Sequence, residues 1–131
     1  MARLKTNGVG VKGAEIAKND LDITENTLVA IKGGFADKAV AGDAVVGISR
    51  QTKVFTSDNE TVAEAKLTYY GLDDNSEFEE LVEGGTIAQA DVHALFDLNA
   101  NGKVDGATSG AGTQVKLIKV ITDTKGVFTR A

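Results

Sequence analysis

Ala65-Lys66-Leu67-Thr68-Tyr69-Tyr70 is the stretch that decides the fold. Ala65, Leu67 and Tyr69 alternate with Lys66, Thr68 and Tyr70, the period of two that places successive side chains on opposite faces of a strand. The pairing Tyr69-Tyr70 therefore puts one ring on each face, one to pack in a core and one as a candidate surface anchor. Upstream, three further runs read as strands. Thr27 to Ile31 ends at Gly33-Gly34, Ala44 to Ile48 follows the turn signal Gly42-Asp43, and Thr52 to Thr56 ends at Ser57-Asp58-Asn59.

Downstream, Gly71 to Ser76 is a turn-rich acidic loop, and Phe78 to Val82 is a strand closed by Gly84-Gly85. Thr86 to Asp91 is the one good helical signal, with Thr86 as cap and Gln89 in capping-box register. Val92, Ala94, Phe96 and Leu98 alternate with His93, Leu95 and Asp97, a strand with one apolar face. Asn99-Ala100-Asn101-Gly102 is a hairpin turn, from which Lys103-Val104-Asp105 pairs back. Gly106 to Gly112 is a loop, Val115 to Ile121 is the most apolar run, and Gly126 to Arg130 follows it. This tally of about eight or nine short strands predicts a mainly β fold, a small β-barrel or sandwich with one short helix.

The first residues differ. Gly8, Gly10 and Gly13 interrupt any pattern and apolar positions are sparse. Residues 1–24 are expected to form an extended N-terminal arm, or a weak short helix near Gly13 to Lys18, ahead of a β domain over 25–131.

The chain has 131 residues, formal net charge −5, 15 Gly, one His and no Cys, Pro or Trp. That length predicts one domain. Without Cys there is no disulfide framework, thiolate metal site or Cys nucleophile. No run of ~18 apolar residues suggests a membrane-spanning helix. No apolar block follows Arg3 and Lys5, so no secretory leader is expected. Charge is segregated. Residues 1–18 carry Arg3, Lys5, Lys12 and Lys18 against Glu15, whereas bases in 58–105 are limited to Lys66 and Lys103 among many acids. Lys116, Lys119, Lys125 and Arg130 then return a positive end. An acidic middle between basic ends does not match a nucleic-acid footprint. It suits a solvated surface, or ends of one copy meeting the middle of another.

Several motifs have plainer readings. Asp97 to Asp105 copies the start of a calcium loop, but Thr108 stands where a bidentate carboxylate is needed, and a tight β-turn explains the same residues. Asp37-Lys38-Ala39 matches the tripeptide around the modified lysine of lipoyl domains, with a left flank that does not read as the required strand. Asp73, Asp74, Glu77, Glu79 and Glu80 contain paired carboxylates, which beside a turn read as a solvated charge run. His93 has no nucleophile elbow to serve, and the glycines form no phosphate-binding loop. No enzyme activity and no cofactor are expected.

From Val54-Phe55-Thr56-Ser57-Asp58-Asn59-Glu60-Thr61-Val62 the order continues through an acidic loop. It runs on to Ala90-Asp91-Val92, Ala94-Leu95-Phe96-Asp97-Leu98 and Lys103-Val104-Asp105-Gly106-Ala107-Thr108-Ser109. An apolar strand and Gly126-Val127-Phe128-Thr129-Arg130-Ala131 complete it. This order resembles the capsid decoration (cement) proteins and related head proteins of tailed bacteriophages, over roughly residues 54–131. The resemblance implies a non-enzymatic protein made in a bacterial cytoplasm and carried on the outer capsid surface of the virion. There it would act as a homotrimer that bridges subunits of the major capsid protein, with no nucleic acid or membrane partner. In such proteins an N-terminal segment often touches the shell, which makes Arg3, Lys5 and Lys12 the candidate capsid contacts. Tyr70, Asp73 and Asp74 are candidates for contacts between protomers or with the shell. Deleting residues 2–20 is expected to leave a folded domain with poorer capsid binding. The alternatives are another phage structural part, in the tail or at head completion, and a small barrel binding a sugar or oligonucleotide.

Overall fold

The computed structural model describes residues 3–4, 12–18, 20–55 and 65–131. The strands are β1 (Arg3–Leu4), β2 (Lys12–Ile16), β3 (Asp22–Ile23), β4 (Leu28–Lys32), β5 (Phe35–Lys38), β6 (Gly47–Ser49) and β7 (Lys53–Val54). They continue with β8 (Lys66–Gly71), β9 (Glu77–Glu83), β10 (Leu95–Phe96), β11 (Val104–Asp105), β12 (Val115–Thr122) and β13 (Lys125–Arg130). The protein is mainly β, as its alternation requires.

Two sheets organise it. One has the order β2-β8-β6-β4-β5 and curls until its outer strands meet, through a parallel bridge between Ala17 and Ala36. The Lys18 N–H donates to the Ala36 carbonyl at 2.8 Å across that seam, so the sheet is a nearly closed, barrel-like ring. The other has the order β1-β9-β13-β12-β10, with β11 running parallel to β9. The pair β3–β7 lies apart from both ladders.

Each face of the curled sheet has its own core. Val29, Ala36, Leu67 and Tyr69 cluster with Ile23 and Phe55 from the β3–β7 region. On the opposite face, Leu28 and Ile48 stand directly opposite each other and join the larger cluster. That cluster takes Phe78, Val82, Leu117 and Phe128 from the second sheet. Phe128 sits between Phe78 (centroids 6.4 Å apart) and Phe96 (6.1 Å, edge-on). Each fully buried ring of this kind contributes roughly 2–3 kcal/mol by leaving water.

Four local readings change. The stretch near Gly13 to Lys18 is strand β2, paired with β8, rather than a short helix. Among the described residues of 1–24, β1, β2 and β3 each pair with a strand of the body. Phe35 to Lys38, not read as a strand, is β5. Gly33 (φ 58°) and Gly34 (φ 87°) both adopt the left-handed backbone of a two-residue hairpin turn, so the pair reverses the chain instead of ending it. The expected strand Val92 to Leu98 shrinks to Leu95–Phe96, because His93 takes φ 72° and breaks the ladder. The expected helix at Thr86 to Asp91 is a single 3-10 turn, Gln89–Asp91, whose start is held by the Ala88 N–H donating to Asp91 Oδ2 at 2.8 Å.

Candidate contact surface

β8 carries the tyrosine pair onto opposite faces. Tyr69 enters the smaller core, where its ring lies over Gly47 so closely that a Cβ there would collide with the ring and with the Tyr70 carbonyl. Tyr70 stands opposite Ile48, at the margin of the face that feeds the larger core, and is half-buried. The Arg50 guanidinium lies 4.9 Å from the Tyr70 ring centroid, a cation–π contact that orients both groups. In the β2–β8 ladder the register partner of Tyr70 is Lys12. Two candidate residues from distant parts of the sequence thus share one row.

The loop after β8 separates the two aspartates. Asp73 builds the turn: its Oδ1 accepts from the Asn75 N–H and the Ser76 hydroxyl, both at 2.9 Å. These bonds favour the charged form, and they hold the Asp73 carboxyl below its usual range. Asp74 points outward, its side chain 79% exposed, and accepts from Arg130 Nη2 at 3.1 Å. Arg130 also donates to the Val45 carbonyl at 3.3 Å, tying this loop and the 42–46 loop to the C-terminal strand. Asp73 is thus engaged within its own turn, whereas Asp74 stays exposed while paired with Arg130.

The basic candidates divide. Arg3 is the register partner of Glu79 at the edge of the second sheet, whereas Lys12 lies at the edge of the curled sheet. Lys5 lies outside the described residues.

The acidic run is not uniformly solvated. Glu80 is 0% exposed and Glu79 is nearly as buried. The Glu80 carboxylate takes the Leu81 N–H at 2.9 Å and lies 3.7 Å from Lys103 Nζ. Burial raises its pKa, and the Lys103 charge works against that rise. The signal was present in the alternation, since residues 78, 80 and 82 share a face.

Gln114, which no motif singled out, pins the two sheets together. Its Nε2 donates to the carbonyls of Val40 (2.8 Å) and Asp43 (2.6 Å), and its Oε1 accepts the Leu98 N–H at 2.8 Å. Beside it a cavity of about 390 Å³ opens between the 42–46 loop, Thr113 and Arg130.

The remaining motifs resolve by their hydrogen bonds. Asp97 Oδ1 accepts from the Thr113 N–H, and Asn99 Oδ1 from the N–H groups of Asn101 and Lys103. Two of the oxygens that would ligate calcium, on Asp97 and Asn99, thus accept backbone N–H groups of this chain. Among the described residues no three His, Cys, Asp or Glu side chains converge as a metal-holding group. Lys38 sits in β5 opposite Val29, while the hairpin tip is Gly33-Gly34, so the lipoyl tripeptide is not at a tip. His93 is exposed, and its N–H donates to the Leu117 carbonyl.

Compared with known proteins, the chain matches no protein-family model, and no curated protein matches it at a significant level.

Proposed function

We propose that this chain is a capsid decoration, or cement, protein of the tailed-bacteriophage kind. It binds the outer surface of the assembled head as a homotrimer and bridges neighbouring major capsid subunits. The observation that carries this reading is the order of sequence elements over residues 54–131, from Val54-Phe55-Thr56 to Gly126-Val127-Phe128-Thr129-Arg130. The contact rim supports it. Tyr70 with Arg50, and Asp74 with Arg130, offer an aromatic ring and both charge signs on the β body.

The physics of such a role is linkage. A protein that binds the closed shell better than its loose subunits stabilises the shell by the free energy of that binding. Each contact can be weak, because three linked protomers raise the effective concentration of the others once one is seated.

Electron micrographs of purified virions, labelled with antibody against this protein, test the reading. Label over the whole head is the expected result. Label confined to the tail or to a single vertex overturns it in favour of a tail or head-completion part, and unlabelled virions overturn both.

A further inference from the structure

The turn that leads into β11 contains a chemically labile pair. Asn-Gly occurs twice in the sequence, as Asn7-Gly8 and Asn101-Gly102, and the first lies outside the described residues. Asn101 is exposed at the tip of its turn. Gly102 has φ 75°, and a Cβ there would lie 2.9 Å from the Ala39 carbonyl oxygen. Position 102 therefore accepts only glycine, both for its left-handed backbone and for the close approach. A glycine leaves its backbone nitrogen unshielded toward the preceding side chain. The Gly102 N–H donates to the Asn99 carbonyl at an ordinary 3.1 Å, whereas the bond on the Asn101 amide, from Nδ2 to Glu83 Oε1, is a long 3.3 Å.

We propose that Asn101 is a self-modification site, converting to aspartate and isoaspartate through a cyclic imide. The Gly102 nitrogen attacks Asn101 Cγ; the new N–Cγ bond replaces the Cγ–Nδ2 bond, and ammonia leaves carrying the proton lost by Gly102. Water then opens the ring at either carbonyl. Opening at one gives aspartate; opening at the other routes the main chain through the side chain and adds a methylene to the turn. Either product places a new carboxylate beside Glu83, whose Oε1 now accepts from both Asn99 and Asn101. The Asn101 donor is lost, and like charges meet. β11, paired with β9 through Val104 and Val82, is the element this loosens first.

The test uses the full chain. Wild-type protein is aged in mildly alkaline buffer, and peptide mass spectrometry with an isoaspartate-specific methyltransferase reads each asparagine. The expected result is conversion at Asn101 many-fold above that at Asn26, Asn75 and Asn99, with isoaspartate among the products. Conversion at Asn101 no greater than at those three overturns the assignment. A second arm compares unaged Asn101→Asp with unaged Asn101→Gln by thermal melting. A lower melting temperature for the aspartate variant is expected; equal values overturn the claim that the new charge weakens the turn.

Discussion

Glu80 and Lys103 meet at 3.7 Å in the larger core, with Phe78 and Val82 before and after Glu80 on the same face of β9. Lys103 keeps 24% of its side chain in solvent, so the cation reaches inward along its stem while the carboxylate is enclosed. Burial raises the Glu80 pKa above its ordinary value of 4.5. The folded state then holds a proton over a range where the unfolded chain has released it. By linkage, the contribution of this group to stability is most favourable below pH 4.5 and declines as pH rises through the folded-state pKa. Denaturant unfolding of wild type and Glu80→Gln at a series of pH values from 4.5 to neutrality checks this. The wild-type decline should be reduced in the variant. Lys103→Met, which leaves the carboxylate without that cation, should cost about 3 kcal/mol at neutral pH.

Gly47→Ala tests the packing under Tyr69. The added methyl meets both a ring in a closed core and the Tyr70 carbonyl, so neither can yield without disturbing β8. A loss of about 1–3 kcal/mol is expected, the usual effect of overpacking. It should appear as a lower denaturation midpoint with an unchanged slope.

Gln114→Ala removes two hydrogen bonds to the 40–43 turn, leaving the Val40 carbonyl with its bond from the Asp43 N–H, and deprives the buried Leu98 N–H of its acceptor. Leaving buried polar groups unsatisfied in this way should cost about 3 kcal/mol. Amide hydrogen exchange should show the Leu98 N–H losing protection, a local effect that a general loss of stability does not produce.

The contact rim is tested by changing charge without removing strands. Because β2 is part of the curled sheet and Ala17 is in the smaller core, deleting residues 2–20 removes a structural strand along with its charges. Arg3, Lys5 and Lys12 changed to Gln, and separately Tyr70→Ala with Asp74→Ala, are the cleaner variants. The charge variant should unfold near the wild-type midpoint and the Tyr70 variant somewhat below it, and each, while still folded, should bind isolated phage heads less well in a sedimentation assay. The binding loss of the charge variants should shrink as salt is raised.

How far the sequence could be read follows from where side-chain period decided the conformation. β8 follows from alternation, and β9, β12 and β13 from apolar runs bounded by glycines and turns. β5 was hidden because Phe35-Ala36-Asp37-Lys38 has weak alternation and its identity comes from the glycine turn before it. Val92 to Leu98 misled for the opposite reason: its alternation is regular, but a left-handed His93 interrupts it. At the candidate surface, strand parity separated Tyr69 from Tyr70, but it did not show that Tyr70 stays half-buried beside Ile48. The different roles of Asp73 and Asp74 were not legible, because they depend on Ser76 and on Arg130, the latter far away in sequence. Gln114 carried no motif at all; its importance lies in three partners brought together only by the fold.

The bridge from Ala17 to Ala36 has a bearing on self-association. An open five-stranded sheet would leave two rows of unsatisfied amides along its margins, each a template for adding strands from other molecules. Here one margin is turned onto the other, and the Lys18 amide is consumed at the junction. Strand addition from a neighbouring molecule is thereby disfavoured where the two margins meet.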